Sequence, residues 1–420
     1  MTQAETVVSH YHLFERIGVE LEYMVVDRQK LNIRPIVDQL IHHVAGAYTS
    51  DVDRGDLAWS NELALHVLEL KTNGPALQLT GLAERFQHEI HQVNQLLANF
   101  DARLMPTAMH PWMDPYQEMQ LWPHEYNAVY EAFNRIFDCR GHGWANLQSM
   151  HLNLPFANDE EFGRLHAAIR LILPLLPGVA ASSPLVSGRP TGMIDNRMDV
   201  YRRNSIRVRE VAGDIIPEPA FTESDYREKI FEPMYAAIRA WDIDGVLQDE
   251  FLNARGAIAR FGRGTIEIRV IDIQECPQAD LGIAALTWAT LQALCSEHWS
   301  TWSQQRSVPT DSLVKMLDHS IRDADRAVIL DRDYLQHFGC TLIAPTVGDL
   351  WSHIVQCLPP NNITTDPALR SSIDHILQQG PLSRRILSAI RERSRSTFEI
   401  YQELCDCLEE GRLFGTGSAK

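Results

Sequence analysis

Apolar and polar residues alternate in three segments of the first two thirds of the chain. These segments are residues 17–26, 150–156 and 265–271. A period of two residues is typical of a β-strand that has one buried face and one polar face. A fourth apolar run, residues 63–70, also predicts a strand, because Asn73-Gly74-Pro75 stops it with turn-forming residues.

Helical periodicity separates these strands and dominates the last third of the chain. Apolar residues recur there every three or four positions, as on the buried side of a helix. The predicted helices cover residues 78–100, 160–173, 225–241 and 281–299, and four or five more fill residues 312–408, with breaks at Pro345 and Pro359-Pro360. Residues 182–209 are predicted to form a loop. Strands first and helices later, without strict alternation, predict an α+β fold with a mainly antiparallel sheet.

The polar rows of three strands carry candidate chemistry. The pairs that share a face are Glu20 with Glu22, His151 with Asn153, and Glu267 with Arg269. Antiparallel sheets often expose one polar face to water, but these rows carry glutamate without the usual admixture of lysine. Two carboxylates about 4 Å apart repel by roughly 4 kcal/mol at an effective dielectric constant near 20. A cluster of them would need cations, and hard divalent ions with oxygen ligands are the natural answer.

Glu62 and Glu69 pose a question of register. Seven residues apart on a regular strand, their side chains would point to opposite faces. They converge if Glu62 precedes the strand, if a bulge intervenes, or if a short helix aligns them over two turns. The sequence leaves these three arrangements open.

Composition narrows the classes of partner. Over 420 residues, 38 lysines and arginines against 55 aspartates and glutamates leave a formal charge of −17. This balance argues against non-specific nucleic-acid binding and against docking on an anionic membrane surface. The sequence lacks an uninterrupted apolar segment of membrane-spanning length, a secretory signal and any CxxC pair among its seven cysteines. We therefore expect a cytoplasmic protein, and the oligomeric state stays open.

The commonest catalytic motifs are absent from the sequence. It contains no GxxxxGK[ST] phosphate loop, no GxGxxG turn, no HExxH and no GxSxG elbow. These absences direct attention to the carboxylates on the predicted strands.

Six motifs, in their order along the chain, resemble the glutamate–cysteine ligase family, especially its bacterial carboxylate–amine ligase branch. They are Gly18-Val19-Glu20-Leu21-Glu22-Tyr23, Glu62 with Leu68-Glu69-Leu70, Met150-His151-Leu152-Asn153, Ala181-Ser182-Ser183-Pro184-Leu185, Gly188-Arg189-Pro190-Thr191-Gly192 and Gly264-Thr265-Ile266-Glu267-Ile268-Arg269-Val270-Ile271-Asp272. The resemblance covers roughly residues 15–300. Leu21 stands where this branch commonly has a glutamate, so we expect its side chain to face the core, and Glu62 stands where some relatives have aspartate.

The resemblance implies a glutamine-synthetase-like fold, in which a curved antiparallel sheet forms a funnel with helices packed outside. It implies ATP and two or more Mg²⁺ ions as cofactors. The implied metal ligands are Glu20, Glu22, Glu62, Glu69, His151 and Glu267. By the same likeness, Glu267 and Arg269 are catalytic and Arg269 contacts the transferred phosphoryl group. Arg197 and Asn153 are expected at the amino-acid substrate.

Three of these assignments have a plainer alternative. His151 could equally be a partly buried, hydrogen-bonded histidine, since Mg²⁺ prefers oxygen ligands. Arg197 and Arg269 could be charge partners of the glutamates. Arg189, Arg202 or Arg203 could also take the place of Arg197.

The resemblance implies a catalytic core over residues 1–304 and a helical C-terminal region over residues 305–420 packed on it. It implies a ligase that activates the γ-carboxylate of glutamate as an acyl phosphate and joins it to cysteine or another amine, so that its partners are small-molecule substrates, an amino acid and an amine. Two alternatives remain at this point. One is another metal-dependent enzyme on the same sheet, a phosphotransferase or a hydrolase, and the other is a non-catalytic binding protein.

Overall fold

The computed structural model describes residues 11–359, 364–392 and 395–415. Its strands are β1 (Gly18–Asp27), β2 (Asp51–Asp53), β3 (Leu57–Asn61), β4 (Val67–Thr72), β5 (Ala102–Met105), β6 (Ser149–Pro155), β7 (Leu185–Val186), β8 (Arg189–Pro190), β9 (Ala257–Arg260) and β10 (Thr265–Asp272). Eight of them form one sheet in the order β2-β3-β4-β1-β6-β10-β9, with β5 also paired to β1, while β7 and β8 form a separate pair. Every strand pairing is antiparallel. The predicted α+β fold with a mainly antiparallel sheet is confirmed.

Helices account for most of the remaining chain. They are α1 (Val37–Ala45), α2 (Leu82–Leu97), α3 (Pro115–Glu118), α4 (Asn127–Phe137), α5 (His142–Ala145), α6 (Asp159–Ile172), α7 (Pro177–Ala180), α8 (Asn196–Tyr201), α9 (Glu223–Tyr226), α10 (Glu232–Ile238), α11 (Pro277–Cys295), α12 (Trp302–Arg306), α13 (Thr310–Asp323), α14 (Arg332–Gln336), α15 (Val347–Cys357), α16 (Pro367–Gln379), α17 (Leu382–Glu392) and α18 (Thr397–Glu410). A π-helical turn, Arg227–Phe231, joins α9 to α10.

The helix ends follow local capping chemistry. At the start of α6, the Asn158 side chain accepts a hydrogen bond from the backbone of Glu161, and acidic residues in the first turn suit the helix dipole. α18 begins with a capping box between Ser396 and Glu399. The longest helix, α11, has buried residues on all sides, which places it in the interior of the molecule.

The central strand β1 has three partners along its ten residues. It pairs with β6 over its first half, with β4 from Glu20 to Met24, and with β5 from Met24 to Asp27. Its alternate residues Val19 and Leu21 are fully buried in the hydrophobic core, so the expectation for Leu21 is confirmed. The other alternate residues face the opposite side of the sheet.

The apolar face of the sheet belongs to a hydrophobic cluster that continues into the C-terminal helices. That cluster includes residues before and after position 304, from Ile17 to Leu408. The division into a catalytic core and a C-terminal region therefore stays a prediction. None of the described helices combines the length and the apolar character needed to cross a membrane.

The structure corrects several predicted elements. The predicted strand over residues 63–70 is β4, which begins at Val67 and ends at Thr72. The strands β2, β3, β5 and β9 and the helices α1 and α4 were not predicted, because short elements show too few periods. The predicted loop over residues 182–209 contains β7, β8 and α8, and the described part of the tail has six helices, α13 to α18, rather than four or five.

Candidate functional site

The antiparallel register aligns the predicted polar rows on one face of the sheet. Glu20 lies directly opposite Lys71 on β4 and His151 on β6, and Glu22 lies opposite Glu69 on β4. One strand further, Glu267 on β10 lies opposite Asn153 on β6. Residues that lie directly opposite each other share a face of the sheet. The face opposite the core therefore gathers side chains from four strands.

Potential metal ligands converge at two places on this face. Ligand atoms of Glu22, Glu62 and Glu69 all lie within 4.8 Å of one another, and so do those of Glu20, Glu69 and His151. Glu62 follows β3 and precedes β4, so the first of the three arrangements considered for it is the one observed. The two groups have Glu69 in common and therefore lie side by side.

The carboxylates carry strongly perturbed pKa values. Burial and the neighbouring Glu22 and Glu69 raise the pKa of Glu62 well above its usual range. Burial and the charge of Glu20 raise the pKa of Glu69 to about 7. Burial also raises the pKa of Glu22 and of Glu20. The site thus holds more negative charge than its buried surroundings stabilise, and a donor set of several carboxylate oxygens fits Mg²⁺.

Lys71 corrects the expectation that these rows lack lysine. Its Nζ lies 3.2 Å from Glu69 Oε1 and 2.8 Å from Asp51 Oδ1. Burial opposes the charged form of Lys71, but Glu69 and Asp51 outweigh it and raise the pKa of the amine. The expectation was wrong because the predicted strand ended at residue 70, whereas β4 continues to Thr72.

His151 is hydrogen-bonded through both ring nitrogens. Nδ1 lies 2.9 Å from Glu20 Oε2, and Nε2 lies 2.9 Å from the Ser149 hydroxyl oxygen. Ser149 in turn donates to Glu22 from its backbone N–H at 2.7 Å and from its hydroxyl at 3.0 Å. Burial lowers the pKa of His151, although Glu22 opposes that effect. A role as metal ligand would require His151 to exchange one of these partners, so it stays a prediction.

Two arginines hold Glu267. Arg269 Nε lies 3.0 Å from Glu267 Oε1, and Arg260 of β9 donates to Oε2 at 3.2 Å. Burial alone would raise the pKa of Glu267, but Arg269 and Arg260 outweigh it and lower the value to about 2. Glu267 therefore carries a full negative charge beside the two clusters, with its Oε1 3.9 Å from His151 Nδ1.

Arg197 reaches the same region from α8. Its side chain is 2% exposed, lies 3.3 Å from Asp272 and donates a 2.6 Å hydrogen bond to the carbonyl oxygen of Arg269. Arg202 and Arg203 instead pair with Asp199, and Arg189 is exposed on β8. Of the four arginines considered from the sequence, only Arg197 lines the cavity described next. Asn153 donates a 3.0 Å hydrogen bond to Glu20.

A cavity of about 440 Å³ covers this face of the sheet. One part of its wall is charged and comprises Glu22, Glu62, His151, Arg197, Arg260 and Arg269. The other part is apolar and includes aromatic side chains from α4, α5 and residues 201–254. The charged and apolar parts belong to one continuous space.

Sequence reasoning missed several residues of this site. Arg260 was missed because β9 was not predicted, although the Gly262-Arg263-Gly264 turn before β10 is a hairpin signal. Gly264 takes a positive φ of 62°, as such a turn requires. The aromatic wall carried no comparable sequence signal, since its residues come from distant segments.

The match to a known family covers most of the chain. Residues 16–400 match glutamate–cysteine ligase family 2 (GCS2). An uncharacterised protein of Archaeoglobus fulgidus is 29% identical over 402 residues, which is 95% of this chain and 100% of that protein. A protein of Cronobacter sakazakii named putative glutamate–cysteine ligase 2 is 23% identical over 67% of each chain.

Two solved structures share the fold at low sequence identity. The glutamate–cysteine ligase of Francisella tularensis, solved in complex with AMP, is 14% identical with a TM-score of 0.57, covering 98% of this chain and 91% of that one. A bifunctional glutathione synthetase of Pasteurella multocida is 12% identical with a TM-score of 0.60, covering 95% of this chain and 53% of that one. These likenesses confirm the predicted fold.

Proposed function

The chain belongs to glutamate–cysteine ligase family 2, and on that premise we propose that it is an ATP- and Mg²⁺-dependent carboxylate–amine ligase. Its acid substrate is glutamate, whose γ-carboxylate is activated as an acyl phosphate. Its second substrate is cysteine or another amine. The nucleotide bound in the Francisella tularensis ligase supports an adenine nucleotide as the energy source.

One observation carries the proposal: two adjoining groups of potential metal ligands reach a cavity through Glu22, Glu62 and His151, and arginines line the same cavity. The crowded carboxylates repel one another, and bound cations would offset that repulsion. Glu22, Glu62 and Glu69 would hold one Mg²⁺, and Glu20, Glu69 and His151 would hold a second, with Glu267 as a further carboxylate at the site. When bound, Mg²⁺ supplies positive charge that offsets the phosphate oxygens of ATP.

The arginines act on the transferred phosphoryl group. Arg269 faces the cavity, and its guanidinium stabilises the equatorial oxygens while the phosphoryl group moves. Glu267 holds Arg269 and Arg260 in place through its two carboxylate oxygens. Arg197, which lines the cavity, binds a carboxylate of the amino-acid substrate, and Asn153 orients Glu20.

The two chemical steps balance without a protein nucleophile. The γ-carboxylate oxygen forms a bond to the γ-phosphorus of ATP, and the bond to the bridging oxygen of ADP breaks. The neutral amine nitrogen then forms a C–N bond with the acyl carbon, and orthophosphate leaves with the electron pair of the broken C–O bond. The attacking nitrogen loses one proton to solvent, and the net products are amide, ADP and phosphate. Positioning the two reactants side by side supplies much of the rate enhancement.

The test is ADP release by the purified protein with ATP, MgCl₂, glutamate and a panel of amines, with mass spectrometry of the product. We expect ADP release to require the acid, the amine and Mg²⁺ together and to yield one amide per ADP. ADP release without an amide would indicate a phosphotransferase or hydrolase. Failure of the folded protein to bind ATP in the presence of Mg²⁺ would indicate a non-catalytic relative. Either result would overturn the ligase proposal.

A further inference from the structure

The apolar part of the cavity forms an aromatic chamber beside the carboxylates. We define this chamber by the lining residues Tyr130, Phe133, Trp144, Tyr201 and Phe251. They come from α4, α5, α8 and the 3₁₀-helix Glu250–Leu252. The aliphatic side chains of Val129 and Leu147 complete the wall.

The rings of the chamber support one another. The ring centroids of Phe133 and Trp144 are 5.4 Å apart, and those of Phe133 and Phe251 are 6.4 Å apart. The Trp144 ring also stacks on Phe137 at 5.4 Å. Such pairs add stabilisation beyond the burial of their area. The chamber is therefore held in shape by ring packing among its walls.

Most polar atoms of these side chains are already occupied by the protein. The Trp144 indole donates a 3.1 Å hydrogen bond to the carbonyl oxygen of Asn204, and the Tyr201 hydroxyl donates a 2.8 Å bond to that of Ala254. The Tyr130 hydroxyl accepts a 3.2 Å bond from the side chain of Asn61. A ligand in the chamber would therefore mainly contact the faces of the aromatic rings.

The chamber adjoins the charged site directly. Tyr130 and Glu62 line the same cavity, and the Tyr130 hydroxyl accepts its hydrogen bond from Asn61, the residue that precedes Glu62. Burial raises the pKa of Tyr201, a shift that the nearby Arg269 and Arg197 oppose. A substituent within the chamber would therefore lie next to the reacting centre.

We propose that the aromatic chamber receives the substituent of the amine substrate and selects amines that carry a flat, apolar ring. This inference rests on the ligase activity proposed above and names its acceptor class. Glutamate does not suit the chamber, because its charged groups would find no partners among the ring faces. A nucleobase suits it less than a hydrocarbon ring, because its polar edge would lose hydrogen bonds to water where most polar atoms of the wall are already bonded.

The expected selectivity follows from the buried area of the ring. Burial of a phenyl side chain is worth enough free energy for a roughly tenfold or larger gain in affinity. Cysteine, whose side chain ends in a small thiol and which carries an α-carboxylate, would leave most of the chamber unfilled. We therefore expect 2-phenylethylamine to be a better acceptor than ethylamine or cysteine.

The experiment measures ADP release and amide formation with ATP, MgCl₂ and glutamate, comparing 2-phenylethylamine, ethylamine and cysteine. We expect kcat/KM for 2-phenylethylamine to exceed that for the other two by about tenfold or more. Phe133→Leu should lower this value about tenfold through KM for the amine and leave KM for ATP unchanged. Phe137→Leu is the matched control, since Phe137 lies on the same helix and packs against Trp144 but does not line the cavity.

A binding measurement keeps the inference testable without turnover. Titration with 2-phenylethylamine should change the tryptophan fluorescence of the wild type, and Trp144→Phe should remove that change. Equal or better turnover with cysteine or ethylamine would overturn the inference while leaving the ligase proposal intact. A rise in KM for ATP in Phe133→Leu, with KM for the amine unchanged, would assign the chamber to the nucleobase and would also overturn it. Amide formation with none of these three amines, but with another amine of the wider panel, would overturn the inference and leave the ligase proposal intact, whereas amide formation with no amine of the panel would overturn both.

Discussion

Burial has opposite energetic effects on the two faces of the central sheet. On β6, Leu152 and Leu154 are buried in the hydrophobic core, whereas His151 and Asn153 on the other face contact the carboxylate Glu20. The core face gains stability from the burial of apolar area. The cavity face concentrates negative charge in buried surroundings, which raise the pKa values of its carboxylates Glu20, Glu22, Glu62 and Glu69. The same strands therefore stabilise the fold with one face and hold the crowded carboxylates of the site on the other.

This contrast teaches where mutations should act. A substitution on the core face should lower the free energy of unfolding. Activity should then fall only in proportion to the fraction of the protein that is unfolded. A change on the cavity face should lower activity, and in some positions the metal-free protein should become more stable. Three predictions test this separation.

The largest expected effect is the loss of activity in Glu267→Gln. A neutral side chain at this position releases Arg269 and Arg260 from their shared anionic partner, so both lose their orientation at the phosphoryl group. We expect turnover to fall by roughly a thousandfold, measured as amide formation with ATP, Mg²⁺, glutamate and an amine. Circular dichroism should show an unchanged fold.

Glu223→Gln, which removes a carboxylate from an exposed ion pair with Arg227, is the control and should retain activity. Near wild-type turnover in Glu267→Gln would refute the role of this residue.

The second effect is a loss of stability in Leu152→Ala. Leu152 lies opposite Val19 and Ile268 on the apolar face, where truncation leaves a cavity. We expect the free energy of unfolding to fall by about 3 kcal/mol, measured by urea denaturation. The neighbouring Asn153→Ala loses only its hydrogen bond to Glu20, so its stability should change by about 1 kcal/mol while its activity falls. Equal stability losses in both variants would contradict the division of roles between the faces.

The smallest effect is a pH-dependent gain of stability in Glu62→Gln. The raised pKa of Glu62 means that the folded protein binds this proton more tightly than the unfolded chain. The metal-free wild type therefore loses stability as the pH rises above the ordinary glutamate pKa, and Glu62→Gln avoids that loss. We expect the variant to gain roughly 1 kcal/mol at pH 8 and little at pH 4.5.

Thermal denaturation in buffers containing EDTA measures this gain, and added MgCl₂ should remove it by stabilising the wild type more than the variant. The same gain at both pH values would show that charge repulsion at Glu62 is not its cause.

Much of the site was predictable because strand alternation is a local property. The pattern around Glu20 and Glu22 placed both carboxylates on one face, and the same rule paired His151 with Asn153 and Glu267 with Arg269. The structure brings these residues together on one face, as expected, and it resolves the position of Glu62. Their roles as metal ligands and catalytic groups remain predictions for the experiments above.

Other features lay beyond local patterns. Lys71 was missed because the end of β4 depends on its pairing with β1 and β3 rather than on its own residues. Arg260 was missed with its short strand. Phe133, Trp144 and Phe251 belong to short helices that the sequence pattern did not predict, and only their packing brings the three rings together.

The amino-acid sequence by itself determined the α+β class, the antiparallel character of the sheet and the faces on which the polar residues lie, because side-chain direction alternates with each residue of a strand. Only the tertiary structure decided which carboxylates share ligand positions, which arginines hold Glu267 and where an aromatic chamber adjoins them. Some of those contacts join segments more than a hundred residues apart, as between Glu20 and His151. Their geometry arises from strand register and helix packing, which depend on the whole chain at once.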